Sequence, residues 1–400
     1  MNRRDFLGGA AVLGVSGCGI KSKTASTPPA PTPPALPPYD AVPTLMPIRA
    51  RVDRIFRVTV CLRPFRAAGP RLEVERVGDK TVVHNYGHGG SGWSLSWGSS
   101  GIAVEHAMAA GERDVAVIGC GALGLTSAIL LQRAGAKVTI YAKERPPEVR
   151  SARATGSWTP DSRVALTNAV SPDFAALWEK MCRSSFHMYE SYLGMAGNPV
   201  EWTDQYALSD LNPAEAQAAP RRADELSFAR YRDRVRDLTP RAQDLPPGSH
   251  PFPTRFARRN SNLTFNIAGY SRQLVNDFLV EGGKIEHVEF HSPSELNQVA
   301  QKVIINATGY GARALWSDES IVPVRGQIAW LIPQPEVNYG VLYKGVNVIS
   351  RRDGIVVQDG GIGDMEGYND ANEQPDRAAA ESAVRVVAEL YGRMSWADRR

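Results

Sequence analysis

The chain is poor in the residues that staple or ligate. Its 400 residues hold four cysteines, at positions 18, 61, 120 and 182, with no CxxC or other metal spacing. That argues against a disulfide framework and against a thiolate metal centre. His84 and His88 have no carboxylate or cysteine at ligand spacing and read as packed histidines, so no metal site is expected. Charge of one sign is also scarce: 46 basic against 42 acidic residues leave +4, unclustered, which does not suggest a nucleic-acid surface. Beyond the first twenty residues no run is apolar enough to span a bilayer, and no internal repeat is visible. A hydrophobic content of 43% with 22% charged residues is ordinary for globular proteins, and the length suits about two domains. Glycine is plentiful, with 36 residues against a usual share of ~7%.

The first residues read as an address. Arg3-Arg4-Asp5-Phe6-Leu7 precedes an apolar stretch from Leu7 to Val15, too short for a membrane span and suited to a signal peptide. The paired arginines fit twin-arginine export of an already folded protein. Val15-Ser16-Gly17-Cys18 has the form of a lipobox, with Cys18 as the lipid acceptor; the alternative is a plain cytoplasmic tail with a chance cysteine. A proline-rich run from Pro28 to Pro38 then forms an extended tether. The expectation is an export signal with lipobox over 1–18, a tether over 19–48, and a body held at the cell envelope, in the periplasm, by a lipid anchor alone.

The strongest motif lies between Asp114 and Glu144. Val115 to Ile118 is a short apolar strand, Gly119-Cys120-Gly121-Ala122-Leu123-Gly124 is GxGxxG, and Leu125 to Arg133 is an apolar helix ended by Gly135. Val138 to Tyr141 is a second strand, closed by Lys143 and by Glu144, which stands 20 residues after Gly124. Strand, glycines, helix and strand with an acid at that distance form a dinucleotide-binding unit. Gly119 permits the turn, Gly121 admits a pyrophosphate, and Gly124 lets the helix meet the sheet. The helix N-terminus, with Ala122 and Leu123, offers unpaired N–H groups to phosphate. One residue of register decides whether Glu144 takes the ribose hydroxyls or Lys143 lies near the phosphates.

Ahead of this unit comes a β run, Val82-Val83-His84-Asn85-Tyr86, entering the glycine cluster Gly87-His88-Gly89-Gly90-Ser91-Gly92, with a helix-like stretch from Ile102 to Ala110. Clustered glycines suit a close backbone approach to something flat, or a set of N–H donors. Arg63-Pro64-Phe65-Arg66 and Arg71-Leu72-Glu73 precede it. From these motifs the chain resembles the D-amino-acid oxidase family of FAD-dependent oxidoreductases. RPxR, RLE and HNYGHGG resemble that family's C-terminal signature, and Val115 to Lys143 its N-terminal one. Ala154-Thr155-Gly156-Ser157-Trp158, Ile304-Ile305-Asn306-Ala307-Thr308-Gly309, Val324-Arg325-Gly326-Gln327 and Val348 to Gly354 follow in family order. The family's last segment thus stands first, an order that looks like a circular permutation joined through Ala110-Gly111-Glu112-Arg113-Asp114.

The resemblance implies an α/β fold, α+β in its substrate part: a Rossmann-like FAD-binding domain over 76–165 and 255–315, interleaved with a mixed-sheet substrate domain over 49–75, 166–254 and 316–400. It implies FAD as cofactor and oxidative deamination of a D-amino acid, with O2 as the electron acceptor and a homodimer left open. Arg63 matches the carboxylate-binding arginine and Tyr343 an active-site tyrosine. Asn347 stands where a second tyrosine is usual, a departure that bears on turnover. Gly89, Gly90, Gly92 and Ser94 match positions at the flavin's pyrimidine end, with Gly90 also at the catalytic face. Ser91 replaces an aromatic residue there. Thr155, Gly156 and Trp158 are expected beneath the isoalloxazine, and Thr308 and Gly309 in the cofactor cleft. Another amine substrate, or a catalytically weakened flavin-binding envelope protein, is the alternative. Residues 170–257 read as charge-rich and loop-rich, without assigned chemistry.

Overall fold

Short apolar, β-branched runs such as Val115 to Ile118 and Val303 to Asn306 are buried along their whole length, as strands covered on both faces must be. They sit in a six-stranded sheet in the computed structural model, which describes residues 39–211, 226–361 and 363–394. The sheet runs β2 (Val74–Val77), β3 (Lys80–His84), β10 (Val303–Asn306), β4 (Asp114–Ile118), β5 (Lys137–Ala142), β9 (Lys284–His287). All neighbours are parallel except the β2–β3 hairpin. Helices α1 (Gly92–Ala109), α2 (Ala122–Arg133), α3 (Phe174–Glu190) and α4 (Ile267–Val280) pack around one core with β3, β4, β5 and β10.

A second, eight-stranded sheet is mostly antiparallel. Its order is β1 (Ile55–Arg66), β11 (Ile321–Leu331), β14 (Gly354–Asp359), β13 (Val346–Arg351), β12 (Tyr339–Tyr343), β6 (Val200–Ser209), β8 (Phe256–Phe265), β7 (Gln243–Leu245). Helix α5 (Arg377–Gly392) lays Ala380, Ala383, Val384, Val387 and Leu390 into the core on one face of this sheet. Asp376 caps it by accepting the Ala379 N–H at 3.0 Å. The chain is thus a mixed α/β protein with two sheets, as the motifs imply.

Three expectations need correction. The tether does not run to residue 48: Leu45 and Ile48 are buried in the core beneath α5, and Tyr339 Oη donates to the Met46 carbonyl at 2.8 Å. The export signal, the lipobox and residues 19–38 of the tether lie outside the described residues. Strand β8, expected with the dinucleotide half, instead pairs with β6 and β7 in the second sheet. The stretch 170–257 carries α3 and β6, which charged residues at every third or fourth position conceal. In α3 those charges lie on the outer face, while Trp178, Met181, Cys182, Phe186 and Tyr189 face inward.

The beginning and the end of the described body meet. Tyr339 Oη also bonds Tyr391 Oη at 2.9 Å, and Leu45, Leu390 and Met394 share one core. A chain that opens at Gly111, joins Met394 to Tyr39 through about a dozen glycine and serine residues, and omits residues 1–38 is therefore expected to keep the fold. Circular dichroism and thermal unfolding check this; loss of the cooperative transition would count against it.

Candidate active site

A cavity of about 960 Å³ opens where the parallel strands end, and is closed from the other side by one face of the eight-stranded sheet. Carboxyl ends of parallel strands are where open α/β sheets bind ligands.

The dinucleotide end is built from backbone. Gly119 leaves β4 with φ 104°, and a Cβ there would lie 2.6 Å from the Ala307 carbonyl oxygen, so only glycine fits. Gly124 rests on the Gly119 carbonyl, too close for any side chain, which seats α2 on the sheet. Gly121 has ordinary φ (−84°), and a Cβ there would meet only Ser151 Oγ, at 3.2 Å. That space is open cavity. Ala122 and Leu123 line it, and the Ala122 N–H points at Ser151 Oγ, 3.2 Å away. Lys143 and Glu144 both reach the wall; Lys143 Nζ is committed to Glu289 at 3.0 Å, leaving Glu144 as the acid at the end of β5. Thr308 and Gly309 line the opposite wall. Asn306 ties this wall to β3: its Nδ2 donates to His84 Nδ1 at 3.0 Å, and its Oδ1 accepts from the Thr308 hydroxyl at 2.8 Å.

The glycine cluster forms the next wall. Gly89 has φ 56° and lies against the Arg163 carbonyl, while a Cβ on Gly90 would lie 2.5 Å from Ser162 Oγ. Both line the cavity, with Gly92, Ser94, Thr155 and Gly156. Ser94 Oγ accepts the Thr159 N–H at 2.8 Å, holding the two segments together. Behind the cluster runs a buried polar seam. Ser99 donates to Asn85 Oδ1, so it accepts from His88 Nε2, 2.8 Å away; Asn85 Nδ2 reaches Ser100 and Ser127, both at 3.2 Å. Burial pushes His88 down to about 3, so its ring is neutral and adds no charge to the wall.

The far end is a polar chamber. Arg63, Asn347 and Gln358 line it on one face of the eight-stranded sheet, with Gln205. Arg325 and Gln327, which also border the cavity, alternate to the opposite face, where Gln327 bonds Asp376 at the start of α5. Arg63 donates to the Arg325 carbonyl at 3.4 Å, and among the described residues no carboxylate pairs with it. Burial holds its guanidinium below the ordinary arginine value, and it repels the neighbouring Arg163. Asn347 Oδ1 accepts from Gln205 Nε2 at 2.5 Å, and Gln358 Oε1 accepts from the Thr155 hydroxyl at 2.7 Å. Both pairings leave an amide NH2 to donate. Arg325 binds the carbonyls of Asn372 and Gln374, both at 2.9 Å, fastening the segment after β14 along the chamber.

Three of the expected residues stand elsewhere. Tyr343 does not line the cavity. The two-residue turn Lys344-Gly345 pairs Leu342 with Asn347 and Tyr343 with Val346, so Leu342 and Asn347 share the cavity face and Tyr343 takes the other. Its hydroxyl donates to Asp210 at 2.8 Å and accepts from Arg393 at 2.6 Å. Trp158 is fully buried behind Ser157 and Thr159, packed 5.1 Å from the Phe186 ring and 4.8 Å beneath the Arg232 guanidinium. Gly124 supports the cradle from behind rather than lining it. Sequence reasoning did not single out Ser151, Gln205, Arg163 and Gln358. Each is a lone polar residue, and only the hydrogen-bond partner across the fold distinguishes it.

The donors and spaces fit an FAD: an open glycine cradle at a helix N-terminus, an acid at the end of β5, and a second glycine wall in the same cavity. Gly121 and Gly124 separate binding from folding. Gly121→Val is expected to keep the fold while binding no dinucleotide, because its side chain enters the open cradle. Gly124→Ala is expected to lose about 1–3 kcal/mol of stability by overpacking against the Gly119 carbonyl. Flavin per protein and thermal midpoint, measured on both, check the pair.

Comparison with known proteins agrees. The sequence profile of the family described as DAO, FAD dependent oxidoreductase, matches residues 114–399. A D-amino-acid oxidase of Rubrobacter xylanophilus is 28% identical over 283 residues, 70% of this chain and 77% of that protein. One of Streptomyces coelicolor is 27% identical over 225 residues, 54% of this chain and 59% of that protein. The structure of a glycine oxidase from Bacillus cereus overlays with a TM-score of 0.45 at 16% identity, over 70% of this chain and 77% of that one. The chain belongs to the DAO family of FAD-dependent oxidoreductases, and FAD is its cofactor.

Proposed function

We propose that the protein oxidises the α-carbon of a D-amino acid, releasing an imino acid that hydrolyses to the oxo acid and ammonia. The observation that carries this reading is Arg63: a cation without a carboxylate partner among the described residues, in a largely buried chamber continuous with the dinucleotide cradle. A planar guanidinium is the natural fork for a substrate carboxylate.

In this reading Gly119, Gly121, Ala122 and Leu123 hold the pyrophosphate and Glu144 the ribose. Gly89, Gly90, Gly92, Ser94, Thr155 and Gly156 border the ring. Bound FAD supplies the acceptor for the α-hydride and passes the electrons to O2, giving peroxide. Arg63 fixes the carboxylate, which leaves one orientation for the α-carbon against the glycine wall. Asn347 and Gln358 turn their free amide donors toward acceptor oxygens of the substrate, its carboxylate or its side chain. His88 is neutral and adds no charge to the glycine wall; the further cation at the wall is Arg163, which abuts Gly89.

One observation favours another amine or amino acid as substrate. Asn347 is held by Gln205 and Leu342 faces the cavity beside it, so this face carries an amide and an aliphatic side chain where the family resemblance leads one to expect tyrosines. A screen of D- and L-amino acids and simple amines for peroxide release decides between them. On the best substrate, Arg63→Ala is expected to lower kcat/KM by about a hundredfold or more, the worth of a charged, two-point hydrogen bond. Arg63→Lys should not restore it, since a point charge cannot fix a carboxylate plane. An unchanged kcat/KM in Arg63→Ala would refute this site.

Two further proposals rest mainly on the sequence. The order of motifs supports a circular permutation, because β1 and β3 precede the dinucleotide motif yet complete the two sheets, and α1 packs into the core of the first. The twin arginines and Cys18 support export as a lipoprotein, folded around FAD before translocation. Cys18→Ala is expected to release the protein from the membrane fraction of its host. Retention in that fraction would count against the lipid anchor.

A further inference from the structure

Glycine in the middle of a long strand needs a reason, because it weakens the strand and gives up a packed side chain. Gly326 lies inside the eleven-residue β11, opposite Cys61 of β1, with a backbone that any residue could adopt. Its reason is the Arg63 side chain. Arg63 sits two residues beyond Cys61 on the same face of β1 and leans back across the strand pair, so that its guanidinium covers Gly326. A Cβ on Gly326 would fall 2.6 Å from Arg63 Cζ and from Nη1, and in still closer contact with Nη2. The neighbouring Arg325 carbonyl accepts from Nη1 at 3.4 Å, so backbone on both sides of the α-carbon of Gly326 shapes a slot for the guanidinium.

We propose that Gly326 is a positioning residue that seats the Arg63 guanidinium flat on β11 at the height and angle needed to receive the substrate carboxylate. This rests on the reading of Arg63 as the carboxylate anchor. Any side chain at 326 must push the guanidinium outward by on the order of 1 Å, a displacement that costs about a hundredfold where reacting groups are aligned. What yields is the far end of a flexible side chain rather than the backbone. The fold therefore tolerates the change and the anchor does not.

The test uses the FAD-loaded protein and four forms: wild type, Gly326→Ala, Arg63→Ala and the double variant. The readouts are the affinity for propionate as a monocarboxylate probe by calorimetry, flavin content, thermal midpoint, and KM and kcat on the best substrate. Gly326→Ala is expected to keep its flavin and its fold, to bind propionate about tenfold or more weakly, and to raise KM more than it lowers kcat. In the Arg63→Ala background it should change propionate affinity no further, since the group it displaces is gone. An affinity unchanged in Gly326→Ala, or reduced by the same factor in both backgrounds, overturns the proposal while leaving Arg63 as anchor. An affinity unchanged in Arg63→Ala overturns the anchor and this proposal together. Should Gly326→Ala fail to fold, the double variant must recover the fold, because it removes the atoms in collision; failure to recover it also overturns the proposal.

Discussion

The pairing of β1 with β11 is the constraint from which the rest follows. Eleven registered partners, from Ile55 opposite Leu331 to Arg66 opposite Ile321, fix the segment before the dinucleotide motif onto the second sheet. Some fifteen residues after β1, the same segment supplies β3, whose parallel pairing with β10 fixes it onto the first sheet. Between the two anchorages the chain has little freedom, and the glycine cluster after β3 is delivered to the cavity that both sheets border. The same pairing lays Arg63 over Gly326. A slip of one residue would turn every side chain of β1 to the opposite face and remove the guanidinium from the chamber.

What was legible in the sequence is what backbone geometry dictates locally. GxGxxG was readable because each glycine answers a steric demand within a few residues or across one adjacent strand: Gly119 against Ala307, Gly124 against Gly119. HNYGHGG and INATG were readable as separate signatures, and the structure joins them through the hydrogen bond from Asn306 to His84. The strands and the helix of the dinucleotide unit fall within a few residues of their expected bounds for the same reason. The start of α1 was placed late because its first turns, Gly-Trp-Ser-Leu-Ser-Trp-Gly-Ser-Ser, have no amphipathic period. The helix is buried nearly all round, with serines meeting Asn85, Thr126 and Tyr189 rather than water.

The facing of side chains was not legible. Tyr343 and Asn347 are four residues apart, a spacing that places two residues of a continuous strand on one face. Here a two-residue turn intervenes, and the partner of Asn347 becomes Leu342. Trp158 lies between two cavity-lining residues, yet strand-like alternation sends its ring into the core. In both cases the residue type that suggested contact with substrate, a large aromatic with a polar tip, is equally at home in a core. Packing alone can hold it, as for Trp158, whose Nε1 has no partner among the described residues, or the core can satisfy the tip. Tyr343 finds Asp210 and Arg393 there.

The chamber's electrostatics complete the argument. A buried guanidinium without a counter-charge is costly, and proteins usually cancel it with a carboxylate. This chain places acids close to other arginines of the region, with Asp364 beside both Arg163 and Arg230 and Asp370 beside Arg325, and leaves Arg63 with a backbone carbonyl alone. The amides opposite are arranged in the complementary sense. Gln205 and Thr155 occupy the carbonyl ends of Asn347 and Gln358, so the exposed ends are donors. A cation and two amide donors meet around one space beside the glycine wall, while Asp370, one of the carboxylates that line the cavity, stands beside Arg325. An anionic ligand supplies the missing charge, and the desolvation cost already met in folding is offset only when it binds.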